Sequence, residues 1–451
     1  MRKAYKLFVK GNNKLRSFIK QSSLILRIYI RLHDIWKRMT GKAQHSSNAD
    51  YKIQHKVYEL LSAGDLTSDK ILKVDNKQQQ EILDDVCKMA NKRKTGEFAD
   101  KSQIDETRDF ISDNMSFMTS EFLDRIEQIA MSSGLFVLAY AVREKNEEFV
   151  IEQADIKGFL TKRNAVKLFW CYVKRGYDDK ARSLLESSAI KRTPHVYFVI
   201  RELCMALGLL PRDFSEVEKK TENKAFADYV RDKRIAIIGP SSSGTDNSEE
   251  IKRDFDIIIR ITYRGIENLP EAEHELVPQI SYYNKRVCGL LFTDSNVNCD
   301  FLKDLDFVVL KQHNRQIYHK VSQFTNVRFA ISCRPKFFFL GHTNMVPAIL
   351  EDLSSYRPFC VKIFNANLFL SDNLYSKKYI TLNHSLFDGN RIRLWRSFSI
   401  HNIISQYDYV RQLYLRELIE ADTRLSEILN LGTAEYMNQL EKQENVTTLS
   451  K

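Results

Sequence analysis

The sequence lacks the patterns that mark metal-built and disulfide-built proteins. Its seven cysteines, Cys87, Cys171, Cys204, Cys288, Cys299, Cys333 and Cys360, are odd in number, dispersed and never spaced as CxxC. That argues against a zinc ribbon and a disulfide framework and points to a reducing compartment. There is no HExxH, no EF-hand loop and no paired-histidine cluster, so no metal is expected. Neither GxGxxG nor GxxxxGK followed by Ser or Thr occurs, which removes the fingerprints of a dinucleotide site and of a P-loop. A nucleotide-dependent oxidoreductase is thereby the weaker rival reading. Strict internal repeats are absent too, although one αα-hairpin pattern resembles a helical-repeat unit.

Acidic residues are scarce only at the start. Residues 1–42 hold twelve Lys and Arg against one acid, Asp34, which accounts for the whole net charge of +11 and leaves the rest formally neutral. The pI therefore does not describe a basic nucleic-acid-binding body, and no nucleic-acid reading motif is present. Leu7, Phe8, Leu15, Phe18, Ile19, Leu24, Ile25, Leu26, Ile28 and Tyr29 interleave with these cations at roughly helical spacing. A membrane-spanning helix needs about 20 mostly apolar residues, and Arg27 and Arg31 interrupt the run. The pattern fits a segment lying on an anionic membrane surface, the alternative being a helix that packs its apolar face on the protein body. A cytoplasmic protein, peripheral at the inner face of the membrane, is the expected location.

A chain of 451 residues exceeds the usual single-core ceiling of roughly 250–300 residues, so several domains are expected. The division read from the pattern is a basic amphipathic segment over 1–45, an all-α domain over 46–225 and an α/β domain over 226–451 with a helical C-terminal tail. From Val57 to Lys220 apolar residues recur at helical spacing. Ala165 to Val173, then Gly176, then Lys180 to Glu186 reads as a helix ended by glycine and a second one opened by aspartate. From Arg234 onward, strand-sized β-branched runs follow: Ile235–Ile238, Ile257–Ile261, Phe307–Leu310, Val327–Ile331 and Val361–Phe364. Helical stretches, Val346–Ser354 and a long region from Ile403 to Lys442, alternate with them. Such alternation predicts a Rossmann-like layered domain with a largely parallel sheet and ligands beyond the carboxyl ends of its strands.

One such end carries Gly239, Pro240, Ser241, Ser242, Ser243 and Gly244, small residues whose backbone N–H and hydroxyl groups suit an oxyanion. The block Ile235-Ala-Ile-Ile-Gly-Pro-Ser-Ser-Ser-Gly, then Glu249-Glu-Ile251, then Asp254-Phe-Asp256-Ile-Ile-Ile-Arg260 resembles the large sialyl motif of CMP-sialic acid-dependent sialyltransferases. It is also similar to related bacterial transferases that use CMP-Kdo. Gly341-His342-Thr343-Asn344 leading into Met345–Leu350, followed by Val361–Asn365, resembles the smaller motif of the family. Arg260 is followed by Ile261-Thr262-Tyr263 where the family has Asn, and neither late histidine has the usual glutamate a few residues on.

The resemblance implies a glycosyltransferase that moves an acidic sugar, of sialic acid or Kdo type, from a CMP-activated donor to a glycan or glycolipid acceptor of capsule or lipopolysaccharide. It needs no metal or other cofactor, the CMP-sugar being a co-substrate. Gly239 to Gly244, His342, Thr343 and Asn344 would serve the donor. Arg260 would pair with phosphate or carboxylate, or with a neighbouring acid. His401 first, His384 second and His342 third are candidates for the acid or base, histidine having the fitting unperturbed pKa. Asp256 would be structural in an inverting enzyme and the nucleophile in a retaining one. Tyr282, Tyr283 and Asn284 either line a pocket or pack. The reading from a different class is a non-catalytic helical interaction protein with a nucleotide-binding α/β domain.

Overall fold

A computed structural model of the protein describes residues 56–57, 60, 66–74, 76–94, 101–157, 162–211, 221–241, 246–292, 298–311, 314–330, 343–370 and 401–449. The chain divides into two units, Met1–Lys52 and Ile53–Lys451. All described residues belong to the second, so the expected amphipathic segment lies outside them.

Helices α1 (Lys77–Lys94), α2 (Lys101–Asp113), α3 (Ser120–Ser132), α4 (Phe136–Lys157), α5 (Lys162–Lys174), α6 (Asp178–Ser183), α7 (Pro194–Ala206) and α8 (Thr221–Val230) form the first part of this unit. The hairpin α5–α6 turns at Gly176, whose φ of 72° is left-handed and costs glycine little. Thr119 caps α3 by accepting a hydrogen bond from Phe122 N.

The second part is an α/β fold. Strands β1 (Arg234–Ile238), β2 (Ile257–Ile261), β3 (Ile280–Tyr283), β4 (Phe307–Leu310), β5 (Asn326–Phe329), β6 (Cys360–Phe364) and β7 (Glu420–Ala421) make one sheet in the order β5-β4-β3-β2-β1-β6-β7. Each neighbouring pair is parallel. Connecting helices include α9 (Ser248–Asp254), α10 (Lys285–Phe292), α11 (Arg315–Val321) and α12 (Met345–Leu353). Helices α13 (Ile403–Leu415), α14 (Thr423–Asn430) and α15 (Thr433–Leu449) follow.

The central strands read as continuous apolar runs because both faces are covered, and alternate residues enter different cores. Ile235, Ile237, Ile257 and Ile259 join a cluster that extends from Val57 through α3 and α4 to Leu440. Ala236, Ile238 and Ile258 pack on the other face with Ile251, Leu276 and Phe364. The boundary expected at 225/226 is thus a change of architecture without a break in the core. The region expected to be helical from Ile403 to Lys442 is instead three helices with β7 between the first two.

Strand order reverses at β1. The chain moves outward from β1 to β5 on one side and returns with β6 on the other, so the crevice beyond the carboxyl ends of β1 and β6 is the topological switch point.

Candidate functional site

The switch point is built by close backbone approach. Gly239, directly after β1, donates from N to Phe364 O at 2.8 Å, and Ser241 N donates to Asn365 O at 3.1 Å. A Cβ on residue 239 would stand 2.4 Å from Asn365 O, so only glycine fits. Two of the N–H groups expected to be offered to a phosphate, those of Gly239 and Ser241, are therefore spent on the end of β6. Ser242, Ser243 and Gly244 lie outside the described residues.

A cavity of about 290 Å³ opens at this place, near the lower end of the roughly 300–1,000 Å³ typical of ligand sites. Gly239, Pro240 and Ser241 line it from β1, Arg260 and Thr262 from β2, and Asn365 from β6. Asp246, Asn247 and Ser248 at the start of α9, and Tyr263, Arg264 and Glu273 in the β2–β3 connection, add to the wall. Thr262 and Asn365, each one residue past a strand, have left-handed φ values of 60° and 53°. For β-branched Thr262 that is a strained conformation, which the surrounding bonds hold: Thr262 N donates to Tyr282 O at 3.0 Å and Tyr263 N to Ser281 Oγ at 3.0 Å. Asp422, the N-cap of α14, accepts from Asn365 N at 2.7 Å and fixes the other turn. Burial pushes the pKa of the Asp422 carboxyl up, against those backbone donors.

Two buried polar atoms of wall residues, Thr262 Oγ1 and Asn247 Nδ2, make no hydrogen bond, and Arg260 Nη2 meets Glu273 Oε2. A buried polar group without a partner is costly, and two of the residues that line this cavity carry one. Arg260 is 6% exposed and lies 2.7 Å from Glu273 Oε2. Desolvation lowers its guanidinium pKa, with the Glu273 carboxylate opposing. The alternative of a neighbouring acid as its partner is the one the structure contains. Glu273 also accepts from Asn365 Nδ2 at 3.0 Å, tying the β2–β3 connection to β6.

The other expected residues fall elsewhere. Asp256 stands before β2, at the amino end of the sheet, is exposed, and accepts from Arg234 N at 2.8 Å while Asp256 N donates to Arg234 O at 2.9 Å. This reciprocal clasp aligns β1 with β2 at the end remote from the cavity, so the nucleophile role is corrected to a structural one. Thr343 and Asn344 precede α12 on the other face of the sheet, and neither lines the cavity. Asn344 N donates to Gln406 Oε1 at 2.7 Å, which joins the start of α12 to the first turn of α13. His401 is half-buried just before that turn, beside the N-cap Asn402. His342 and His384 lie outside the described residues. Tyr282 and Tyr283 are fully buried and pack: Tyr282 Oη donates to Asp352 Oδ2 at 2.5 Å and Tyr283 Oη to Tyr263 O at 2.6 Å, the latter bracing the cavity turn.

Glu273, Thr262 and Asn247 were not singled out as site residues by sequence. Glu273 sits in an acid-rich turn whose pattern carries no signal, while Asn365 could have been found as the residue that ends the strand paired with β1. Among the described residues no group of three His, Cys, Asp or Glu is placed to hold a metal ion, and no helix is long and apolar enough to cross a membrane. Comparison with protein-family profiles, curated proteins and solved structures finds no match to this chain.

Proposed function

We propose that the protein is a sialyltransferase-like glycosyltransferase that transfers a sialic acid or Kdo-type sugar from a CMP-activated donor to a cell-surface glycan or glycolipid. The observation that carries this reading is the switch-point cavity. Gly239, Pro240, Ser241 and Arg260 of the sialyl-like block wall it, and two further wall residues, Thr262 and Asn247, carry buried polar atoms without hydrogen bonds. Thr262 Oγ1 and Asn247 Nδ2 can donate to donor oxygens without first breaking a protein bond, which is the preorganisation that stabilises a departing phosphate. His401, at the start of α13, is the described candidate for moving the acceptor proton. Residues 1–42 would hold the enzyme at the anionic inner face of the membrane, where lipid-linked acceptors lie.

The test is release of CMP from CMP-sialic acid and from CMP-Kdo by the full chain, with a Ser241→Trp variant, checked for folding, as the blocked control. Release that disappears in the variant is expected. CMP binding without release would instead favour a non-catalytic nucleotide-binding module, a reading that one observation supports: among the described residues no histidine lines the cavity.

A further inference from the structure

The chain that leaves β6 beside the cavity is strained. Asn365 has a φ of 53°, and Leu368 and Phe369 follow with 44° and 74°. Leu368 and Phe369 are the central pair of a turn that Leu370 N closes by donating to Asn367 O at 2.8 Å. Two left-handed residues in succession at such a turn are ordinarily Asn or Gly. With large side chains the conformation persists only where neighbours enforce it. Here the neighbours are the C-terminal helices. Tyr436 Oη, on α15, donates to Leu368 O at 2.6 Å, and Arg424 Nη2, on α14, donates to Leu370 O at 3.3 Å. Tyr436 is fully buried and stacks on Tyr407 of α13 with ring centroids 3.9 Å apart, so the ring that aims its hydroxyl is pinned on one face.

We propose that Tyr436 is a positioning residue for the cavity and acts through this strained turn, an inference that rests on the reading of the cavity as a ligand site given above. By holding Leu368 O it keeps the turn left-handed. The turn in its place keeps Asn365, three residues earlier, where its O accepts from Ser241 N at 3.1 Å and its Nδ2 donates to Glu273 Oε1 at 3.0 Å. Asn365 and Ser241 line the cavity, whereas neither Tyr436 nor Leu368 does. Without the hydroxyl the turn is free to relax to ordinary backbone, and Asn365 O then draws away from Ser241 N. The formed wall becomes a smaller fraction of the population, and the apparent affinity of any ligand that needs it falls by that fraction.

Amide hydrogen exchange on the full-length protein, read without ligand, is the test. Tyr436→Phe keeps the stacked ring and removes only the hydroxyl. It should speed exchange at the Ser241 amide by about tenfold while β3 and β4 keep their native protection. Adding Leu368→Asn, asparagine tolerating a left-handed φ where leucine does not, should return Ser241 to within about threefold of the native rate. Calorimetric titration with CMP as the probe should follow the same order, about tenfold weaker in Tyr436→Phe and recovered in the double variant. Native Ser241 exchange in Tyr436→Phe, or exchange raised equally through the whole sheet, would overturn the proposal, since the hydroxyl would then serve the turn alone or global stability alone. A double variant no better than the single one would overturn it as well. If CMP does not bind the native protein, the nucleotide reading falls and the exchange rates alone decide the role of Tyr436. Should Tyr436→Phe fail to fold, Leu368→Asn by itself decides: relief of the turn should slow Ser241 exchange by about threefold, and an unchanged rate would show that the turn does not govern Asn365.

Discussion

Lys311 shows how a single residue carries the cost of its position. It directly follows β4 and donates from Nζ to Thr343 O, in a place where desolvation lowers its pKa to about 8 from 10.5, Glu351 pulling weakly the other way. An ammonium so placed is more easily deprotonated in the fold than in the unfolded chain, and the sign of the linkage follows. Between about pH 8 and pH 10.5 the unfolded state binds more protons, so stability rises with pH through that window. As pH falls through the folded value the contribution is lost, amounting to roughly 3 kcal/mol at neutral pH at 1.36 kcal/mol per unit. Urea unfolding of Lys311→Met against the native protein measures it: the difference in stability between the two should change across pH 8 to 10.5 and be flat below. A difference that does not vary with pH would mean that Lys311 is charged in the fold throughout.

At the scale of elements, the join between β1 and β6 is the tightest backbone approach at the site, and Gly239 is its hinge pin. Gly239→Ala places a methyl group 2.4 Å from Asn365 O, and neither strand end can yield without disturbing the Asp422 contact to Asn365 N. Destabilisation of about 1–3 kcal/mol is expected, as for other overpacked sites, read as a lower urea midpoint together with weakened CMP binding. The strands flanking this join were legible because their interior is buried and rich in isoleucine and valine, and so was the glycine that ends β1. Strand β5 came out two residues early at its far end. Strand β7, only Glu420–Ala421, has no periodicity to detect; it is defined by its pairing with β6, beside which Asp422 N donates to Ile363 O. The cavity was half legible for a related reason. Residues at the carboxyl ends of strands announce themselves by the apolar run they close, as at Gly239 after β1 and Arg260 near the end of β2. Glu273 and Asn247 reach the site through connections whose course depends on tertiary packing, and Asp256 was misplaced because adjacency to a strand does not reveal which end of the sheet a ligand occupies.

The whole molecule is held by charges as well as by its apolar core. Arg143 on α4 donates to Glu127 on α3, to Asn402 Oδ1 at 3.0 Å and to Ser405 Oγ at 3.0 Å, the last two at the start of α13. Lys174 on α5 pairs with Glu147 on α4 at 2.9 Å and with Asp408 on α13 at 3.4 Å, and Arg416 after α13 meets Asp178 on α6 at 2.6 Å. Helix α13 is therefore clamped to the N-terminal helices by the hydrogen bonds of Arg143, by the buried Lys174–Asp408 pair and by the partly exposed Arg416–Asp178 pair. Removing one partner of a buried pair costs roughly 3–5 kcal/mol because the other is left uncompensated. Separating the chain at 225/226 would strand several such charges at once and expose the shared core of α3, α4, α13 and α15. The expected outcome is that residues 226–451 produced alone are insoluble or lack cooperative unfolding, whereas co-expression with residues 1–225 restores a soluble complex. Independent cooperative folding of 226–451 would show that the helical half is an accessory. Its failure would mean that the two halves are one folding unit, in which the turn that follows His401 is fastened to Arg143 of the helical half.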